Sequence, residues 1–216
     1  MTQSSNLYSP PPPESLTTLY LDAWIVVCDK PSGLLSVPGR GPEKAICASS
    51  ILSERHGEVL IVHRLDMDTS GLMIFARTKA AQRALSMSFE KRRVKKTYEA
   101  LVGGAMETDE GTINAAIAKY SLKRPLRHLD PDGREAITHW QILERGDTFT
   151  RVLLTPETGR SHQLRLHMAS LGHPILGDVF YGNANSHERL CLHAKSLAFP
   201  HPDGGKIVHA DCPVPF

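Results

Sequence analysis

Two short apolar runs, Val59-Leu60-Ile61-Val62 and Leu72-Met73-Ile74-Phe75-Ala76, enclose the charged segment His63-Arg64-Leu65-Asp66-Met67-Asp68-Thr69-Ser70-Gly71. Runs of this length, rich in branched residues and bounded by turn residues, predict buried strands. Unpaired charge resists burial, so the segment between them must surface at the end of a sheet. Loops held by a rigid scaffold are where catalytic groups gather, which makes this segment the first candidate for chemistry.

The remainder of the chain supplies more strands than helices. Leu19 to Leu21 and Trp24 to Cys28 read as strands joined by a tight turn, and Asp29-Lys30-Pro31-Ser32-Gly33 ends the second because Pro and Gly break pairing. Pro42 to His56 predicts a helix, with Pro42 in its first turn, Ile46, Ile51 and Leu52 on one face and Gly57 at its end. Thr78 to Arg92 predicts a second, with Thr78 as N-cap, Ala81, Leu85 and Phe89 at helical spacing, and cations at its C-terminus. Lys96 to Val102 alternates as a strand, with Tyr98, Ala100 and Val102 on one face. Asp130-Pro131-Asp132-Gly133 is a turn between further strands, and Thr150 to Leu154 is another buried strand. Ser161 to Leu171 is a short helix closed by Gly172, followed by strands at Leu190 to Phe199 and Lys206 to Ala210. Adjacent strand pairs with few helices imply an α+β fold, a single domain whose mixed, largely antiparallel central sheet is flanked by helices and loops. Residues 1–16, with Ser9-Pro10-Pro11-Pro12-Pro13-Glu14, read as a disordered or polyproline tail, leaving 17–216 as the folded domain.

A length of 216 residues and a hydrophobic fraction of 41% suffice for one well-filled core. No apolar run approaches a membrane span, and the N-terminus lacks the basic-then-apolar plan of a signal peptide, so a cytoplasmic protein is expected. The four cysteines are widely spread, which suits buried free thiols better than zinc. Formal net charge is only +2, yet Lys91, Arg92, Arg93, Lys95 and Lys96 form one basic run, and Lys123, Arg124, Arg127 and His128 form another. Such runs commonly coat a solvated face. Two of them beside a basic loop favour a phosphate-rich partner.

Asp66 and Asp68, if extended, point the same way about 6 to 7 Å apart, which suits a paired-carboxylate glycosidase or a metal site. The blander reading of Asp68-Thr69-Ser70-Gly71 is a turn held by side-chain-to-backbone bonds. A second constellation is Thr155-Pro156-Glu157-Thr158-Gly159-Arg160-Ser161-His162-Gln163-Leu164-Arg165, a turn entering a helix between two arginines. Helix N-termini attract anions, and Arg165 is suited to hold Asp66 ionised and fixed in direction. An ordinary surface helix is the alternative. His162 and His167, at i and i+5, fall on different helix faces and make a poor metal pair. No phosphate-binding loop, dinucleotide fingerprint or serine elbow is present.

Lys30-Pro31-Ser32-Gly33-Leu34, His63-Arg64-Leu65-Asp66 with Thr69-Ser70-Gly71, Lys96-Thr97-Tyr98 and Thr158-Gly159-Arg160-Ser161-His162-Gln163-Leu164-Arg165 occur in an order and spacing that resembles the RluA-type family of RNA pseudouridine synthases. His173-Pro174-Ile175-Leu176-Gly177-Asp178 and Leu192-His193-Ala194 also fit, so the resemblance covers roughly residues 17–216. It implies isomerisation of uridine to pseudouridine in RNA, with no cofactor and no metal. By the same resemblance Asp66 is the essential catalytic group, Tyr98 sits beside the base, and Arg165 pairs with Asp66. Arg64 fills the space left by a flipped nucleotide, Leu164 lines the base pocket, and His63 and Arg160 also bind substrate. Asp68 receives no such role and becomes a turn residue. Many relatives carry an S4-type RNA-binding domain before the catalytic one, and here only the Pro-rich tail stands there. This short form, with the run at 31–39, is closest to the branch acting on a 23S rRNA hairpin loop and the anticodon stem-loop of certain tRNAs, expected as a monomer. The competing classes are an RNA-binding module that has lost catalysis and a metal-dependent nuclease or glycosidase using Asp66 and Asp68.

Overall fold

A computed structural model describes residues 8–120 and 125–216. Its strands are β1 (Thr17–Leu21), β2 (Ile25–Lys30), β3 (Leu60–Ile61), β4 (Ser70–Ala76), β5 (Lys95–Gly103), β6 (Glu110–Asn114), β7 (Ile117–Lys119), β8 (Arg127–Leu129), β9 (Ile137–Arg145), β10 (Phe149–Pro156), β11 (Leu192–Pro200) and β12 (Ile207–Asp211). The helices are α1 (Ala48–His56), α2 (Lys79–Glu90) and α3 (Gln163–Ser170). The main sheet runs β1-β2-β4-β11-β5-β10-β9-β6, with β3 on β4, β12 on β11, and β7 and β8 as a separate hairpin. Every pairing among these is antiparallel except that of β4 with β11. A mixed, mostly antiparallel sheet with few helices is the α+β class that the strand-rich pattern implies.

That one parallel contact is short, only His193 opposite Ser70 and Ala194 opposite Gly71. Beyond it β4 and β11 part. β3 pairs with Phe75 and Ala76 of β4, and β12 with residues 196–200 of β11. The joint between the two halves of the sheet thus lies at Ser70 and Gly71, where the charged segment enters β4. Gly71 has φ +107, and a Cβ there would run into the backbone of Ala194, so only glycine lets the two strands approach.

β4 is buried along its whole length because both its faces are covered. Met73 and Phe75 pack with Val26, Cys28, Ile51 and Leu52 on the α1 side, and Leu72 and Ile74 with Ile25, Val27, Ala81 and Leu85 on the α2 side. A third cluster, around Ala100, Val102, Val152, Leu154, Leu164 and Met168, fills the other half of the sheet. Tyr98 borders both the first and the third clusters.

Three sequence expectations change. Val59 to Val62 is not a second buried strand. Only Leu60–Ile61 pairs, and Ile61 is 43% exposed, because it lies where the sheet has opened. The helix expected over Pro42 to His56 is split into a 3-10 turn at Pro42–Lys44 and α1. Cys47 is extended and caps α1, its sulfur accepting the Ser50 N–H while the Ser50 hydroxyl accepts the Cys47 N–H at 2.9 Å. This is a capping box with a thiol in the serine's place. Within the tail expected to be disordered, residues 8–16 are tied to the domain at several points, although most of them stay exposed. The Tyr8 hydroxyl donates to the Ile46 carbonyl and accepts the Leu35 N–H, Arg55 reaches the Pro13 and Leu16 carbonyls, and Leu16 is buried. Residues 1–7 of that tail, and Lys123 and Arg124 of the second basic run, lie outside the described residues.

Candidate active site

The loop between β3 and β4 is held by a neighbouring run, Lys30 to Ser36. Lys30 is 0% exposed, and its three ammonium protons go to the carbonyls of Pro31, Leu34 and Met67 at 2.7–2.9 Å. Burial pushes the Lys30 ammonium down to about 7, while Asp68 and Asp66 pull it back up. The Ser36 hydroxyl donates to the Leu65 carbonyl and accepts the Leu65 N–H, the Ser32 hydroxyl donates to the Asp68 carbonyl, and the Gly33 N–H donates to the Met67 carbonyl. Every backbone group from Leu65 to Asp68 that takes part in these bonds is thereby fixed from one side. Sequence reasoning took Asp29 to Gly33 for a strand ending. The structure makes it the cradle of the loop. The available signal was a lysine just past the apolar run Ile25 to Cys28, since a lysine drawn into a buried strand needs partners.

Asp66 and Thr69 close a turn, with the Thr69 N–H donating to the Asp66 carbonyl at 3.2 Å. The two aspartates therefore do not lie along one extended strand. Asp66 opens into a cleft of about 550 Å³ together with Arg64, Tyr98, Arg160, Leu164 and Arg165, all of which line it. Asp68 is absent from that lining, and burial raises its carboxyl. His63 also borders the cleft, but its ring stacks on Phe89 with centroids 4.7 Å apart and its Nε2 accepts the Ile74 N–H at 3.0 Å. Burial pushes this imidazole down to about 3, so it is neutral and bonded to the scaffold. Burial and the charge of Asp66 raise the Tyr98 hydroxyl well above its ordinary value, so Tyr98 is a neutral phenol beside that carboxylate.

Arg165 faces two carboxylates, Asp66 as expected and Asp178 more closely. Its closest carboxylate is Asp178, with Nε to Oδ2 and Nη2 to Oδ1 both at 2.7 Å, whereas Asp66 Oδ2 lies 3.7 Å from Nη1. Asp178 is 0% exposed and Arg165 2%. A planar guanidinium held bidentately by one carboxylate keeps its third nitrogen free to face another. Asp178 Oδ1 also accepts the N–H groups of Phe180 and Tyr181, which places two aromatic rings over Arg165, with centroids 4.9 and 5.6 Å from its Cζ. The sequence did not reveal Asp178, Phe180 or Tyr181 as site residues. The hint was a carboxylate following glycine in an irregular run ahead of two aromatics, with nothing to aim it at Arg165.

His162, read as a poor metal ligand, is at the centre. It starts α3 in the left-handed conformation at φ 58, and its Nε2 lies 3.8 Å from Asp66 Oδ2. Burial lowers its imidazole, against the pull of Asp66. Behind the cleft, Asp29, His193 and Cys212 bring donor atoms within 4.8 Å of one another. His193 there meets Cys212 Sγ at 3.0 Å and the Ser70 hydroxyl at 2.9 Å, and Arg189 also donates to that hydroxyl. A fixed guanidinium at this point opposes a cation, so the cluster reads as hydrogen-bonded packing at the joint of the sheet.

The cleft presents Arg64, Arg92, Lys96, Arg160 and Arg165 against Asp66, Glu90 and Glu157. Arg92 is bonded to Glu135 and the Arg160 Nε to the Glu135 carbonyl. Arg64 stands exposed at the rim. The result is a cleft wide enough for a nucleoside in which five cations outnumber three carboxylates, with Tyr98 and Leu164 on its wall beside Asp66.

Comparison with known proteins gives a consistent picture. Residues 24–170 match the family model described as RNA pseudouridylate synthase. A dual-specificity RNA pseudouridine synthase RluA of Haemophilus influenzae is 47% identical over 206 residues, covering 93% of this chain and 94% of that one. Its namesake from Escherichia coli is 42% identical over 214 residues, 97% of this chain and 98% of its own. The solved human RNA pseudouridylate synthase domain containing 1 superposes with a TM-score of 0.81 at 31% identity, over 96% of this chain and 87% of that one.

Proposed function

The chain belongs to the RNA pseudouridylate synthase family, an isomerase of uridine in RNA, and from that premise we propose which of its groups act and on which RNAs. The reaction breaks the bond between C1′ and N1 of a uridine and forms one between C1′ and C5. The C5 proton leaves and N1 gains one. Asp66 is the catalytic carboxylate, acting either on the ribose carbon or on a ribose proton. The observation that carries this reading is that Asp66, Tyr98 and Arg165, distant in sequence, line one cleft, with Asp66 on a loop pinned from Lys30 to Ser36. A rigidly held carboxylate shielded from bulk water is what a single-residue mechanism needs.

The target base is stacked in RNA and must leave the stack at a cost of a few kcal/mol, less in a loop. Arg64 at the rim is placed to occupy the vacated stack and touch phosphate. Tyr98 supports the extruded base and takes part in removing the C5 proton. Leu164 packs on the base, and Arg160 contacts the backbone. His63 serves by holding the loop on β4, and Asp178 by aiming Arg165.

The substrates we infer are an rRNA hairpin loop in 23S rRNA and the anticodon stem-loop of tRNA. They are supported by the dual specificity in the names of the relatives and by the near-complete overlap with them. The cytoplasm is the compartment that fits these RNAs, and residues 17–216 act as one catalytic domain in a monomer. The deciding experiment uses Asp66→Asn. It should bind RNA within about threefold of wild type and release no tritium from C5-labelled uridine transcripts. Product at the wild-type rate would sink the assignment.

A further inference from the structure

Three polar groups lead in sequence from the β7–β8 hairpin to Asp66. The Arg127 N–H, on β8, donates to the Tyr181 hydroxyl at 2.9 Å. That hydroxyl is 2.8 Å from His162 Nδ1, and His162 Nε2 faces Asp66 Oδ2 at 3.8 Å. A phenol that already accepts a backbone N–H has its own proton to donate, and His162 Nδ1 is the acceptor in reach. With that bond made, the imidazole carries its proton on Nε2, the nitrogen facing Asp66. Phe180 covers the ring in a stack, 5.5 Å between centroids and 15° between planes. His162 is 9% exposed, and its backbone stays in the left-handed region although it is not glycine. Strain of that kind persists where surrounding structure enforces it and clusters at functional sites.

We propose that His162 is a positioning residue for the reaction, presenting Nε2–H to Asp66 in a tautomer set by Tyr181, so that the hairpin backbone at Arg127 and the catalytic carboxylate are fixed by one hydrogen-bonded line. The separation of 3.8 Å is too long for a direct bond in the free protein and closes, or takes a bridging water, when RNA fills the cleft; such contacts are often long before substrate arrives. Arg165 and His162 then hold Asp66 from two sides. Arg165 is aimed by Asp178 through its side chain, and Tyr181 is aimed by the same carboxylate through its N–H. One buried carboxylate thus sets both donors. This assignment rests on Asp66 being the catalytic group.

The test compares His162→Gly, His162→Gln and Tyr181→Phe with wild type and Asp66→Asn, reading tritium release from C5-labelled 23S rRNA and tRNA transcripts. Glycine adopts the left-handed conformation without strain, so His162→Gly removes the ring and leaves the helix start intact. It should lower kcat by about 10- to 100-fold with KM within threefold, as for a misplaced catalytic group. His162→Gln restores an N–H toward Asp66 and should recover at least a third of wild-type kcat. Tyr181→Phe should lower kcat several-fold in the wild-type background and not at all in His162→Gly. Nitrogen shifts of His162 should report the Nε2–H form in wild type and a mixture in Tyr181→Phe. Wild-type kcat in His162→Gly, no gain from Gln, additive losses, or the Nδ1–H form in wild type would each overturn the proposal. Should Asp66→Asn remain active, the reading of the catalytic group fails, whereas its inactivity beside an unimpaired His162→Gly rejects only the role of His162.

Discussion

Arg165 is the residue whose behaviour turns most on its neighbours. Two carboxylates compete for it, and geometry gives the bidentate bond to Asp178 and leaves Asp66 one nitrogen at 3.7 Å. An Asp66 bonded so tightly would have its oxygens occupied, and the looser contact leaves them oriented yet open to the cleft. The pair with Asp178 is fully buried, and removing one partner of such a pair leaves an uncompensated charge costing about 3–5 kcal/mol. Asp178→Ala should therefore lower unfolding free energy in urea by about that amount. Product formation should fall even at a temperature where the variant is folded, because Arg165, Phe180 and Tyr181 all lose their common anchor. A stability loss under about 1 kcal/mol would show that Asp178 does not hold them.

At the level of elements, the joint between β4 and β11 decides how the site is assembled. Only two residue pairs connect these strands, and the side chains behind them carry the contact further. His193 of β11 bonds the Ser70 hydroxyl of β4 and the Cys212 thiol beyond β12. His193 is 1% exposed, and burial pushes it down to about 4, as it pushes His63 down to about 3. Unfolded histidine titrates near 6.5, so between about pH 4 and 6.5 the unfolded chain binds more protons than the folded one. Stability therefore falls as pH drops through that window, by about 1.4 kcal/mol per pH unit for each imidazole. Asp22 and Asp178, whose carboxyls are lowered from 3.8, lose their contribution only below it. Urea midpoints measured from pH 7 to 4 should decline, and His193→Asn should decline less steeply over the same range. Parallel slopes for the two proteins would refute a neutral buried His193.

Across the whole molecule, charge is arranged by the cleft and not by the total. Net charge is +2, yet Arg64, Lys96 and Arg160 stand together on the cleft wall. In the described residues the cleft's other cations, Arg92 and Arg165, are engaged with carboxylates. Three phosphate contacts correspond to a slope of log K against log salt of about −2 to −3. RNA affinity measured between 50 and 200 mM salt should follow that slope, and Arg64→Gln should make it shallower by about one unit. A salt-independent affinity would remove this surface from RNA binding.

Much of the site was legible in the chain because local chemistry announces it. The roles of Asp66, Tyr98 and Arg165 came from the family resemblance, while the charged loop around Asp66, the helix start between Arg160 and Arg165 and the alternation of Tyr98 on β5 were readable from periodicity and turn residues. The fold class was readable for the same reason. Asp178, Tyr181, His162 and Lys30 were not, since their roles depend on partners 13 to 37 residues away or on a partner brought in by the sheet. Val59 to Val62 failed as a buried strand because burial there depends on where β4 and β11 part, which no local pattern records. The sequence alone determined that Asp66 sits in a charged loop between two apolar runs, since its neighbours in the chain make that loop. Tertiary structure decided what holds that carboxylate still, because a hydrogen bond needs its donor within about 3 Å, and only the closed sheet brings Lys30, Arg165 and His162 around one short turn.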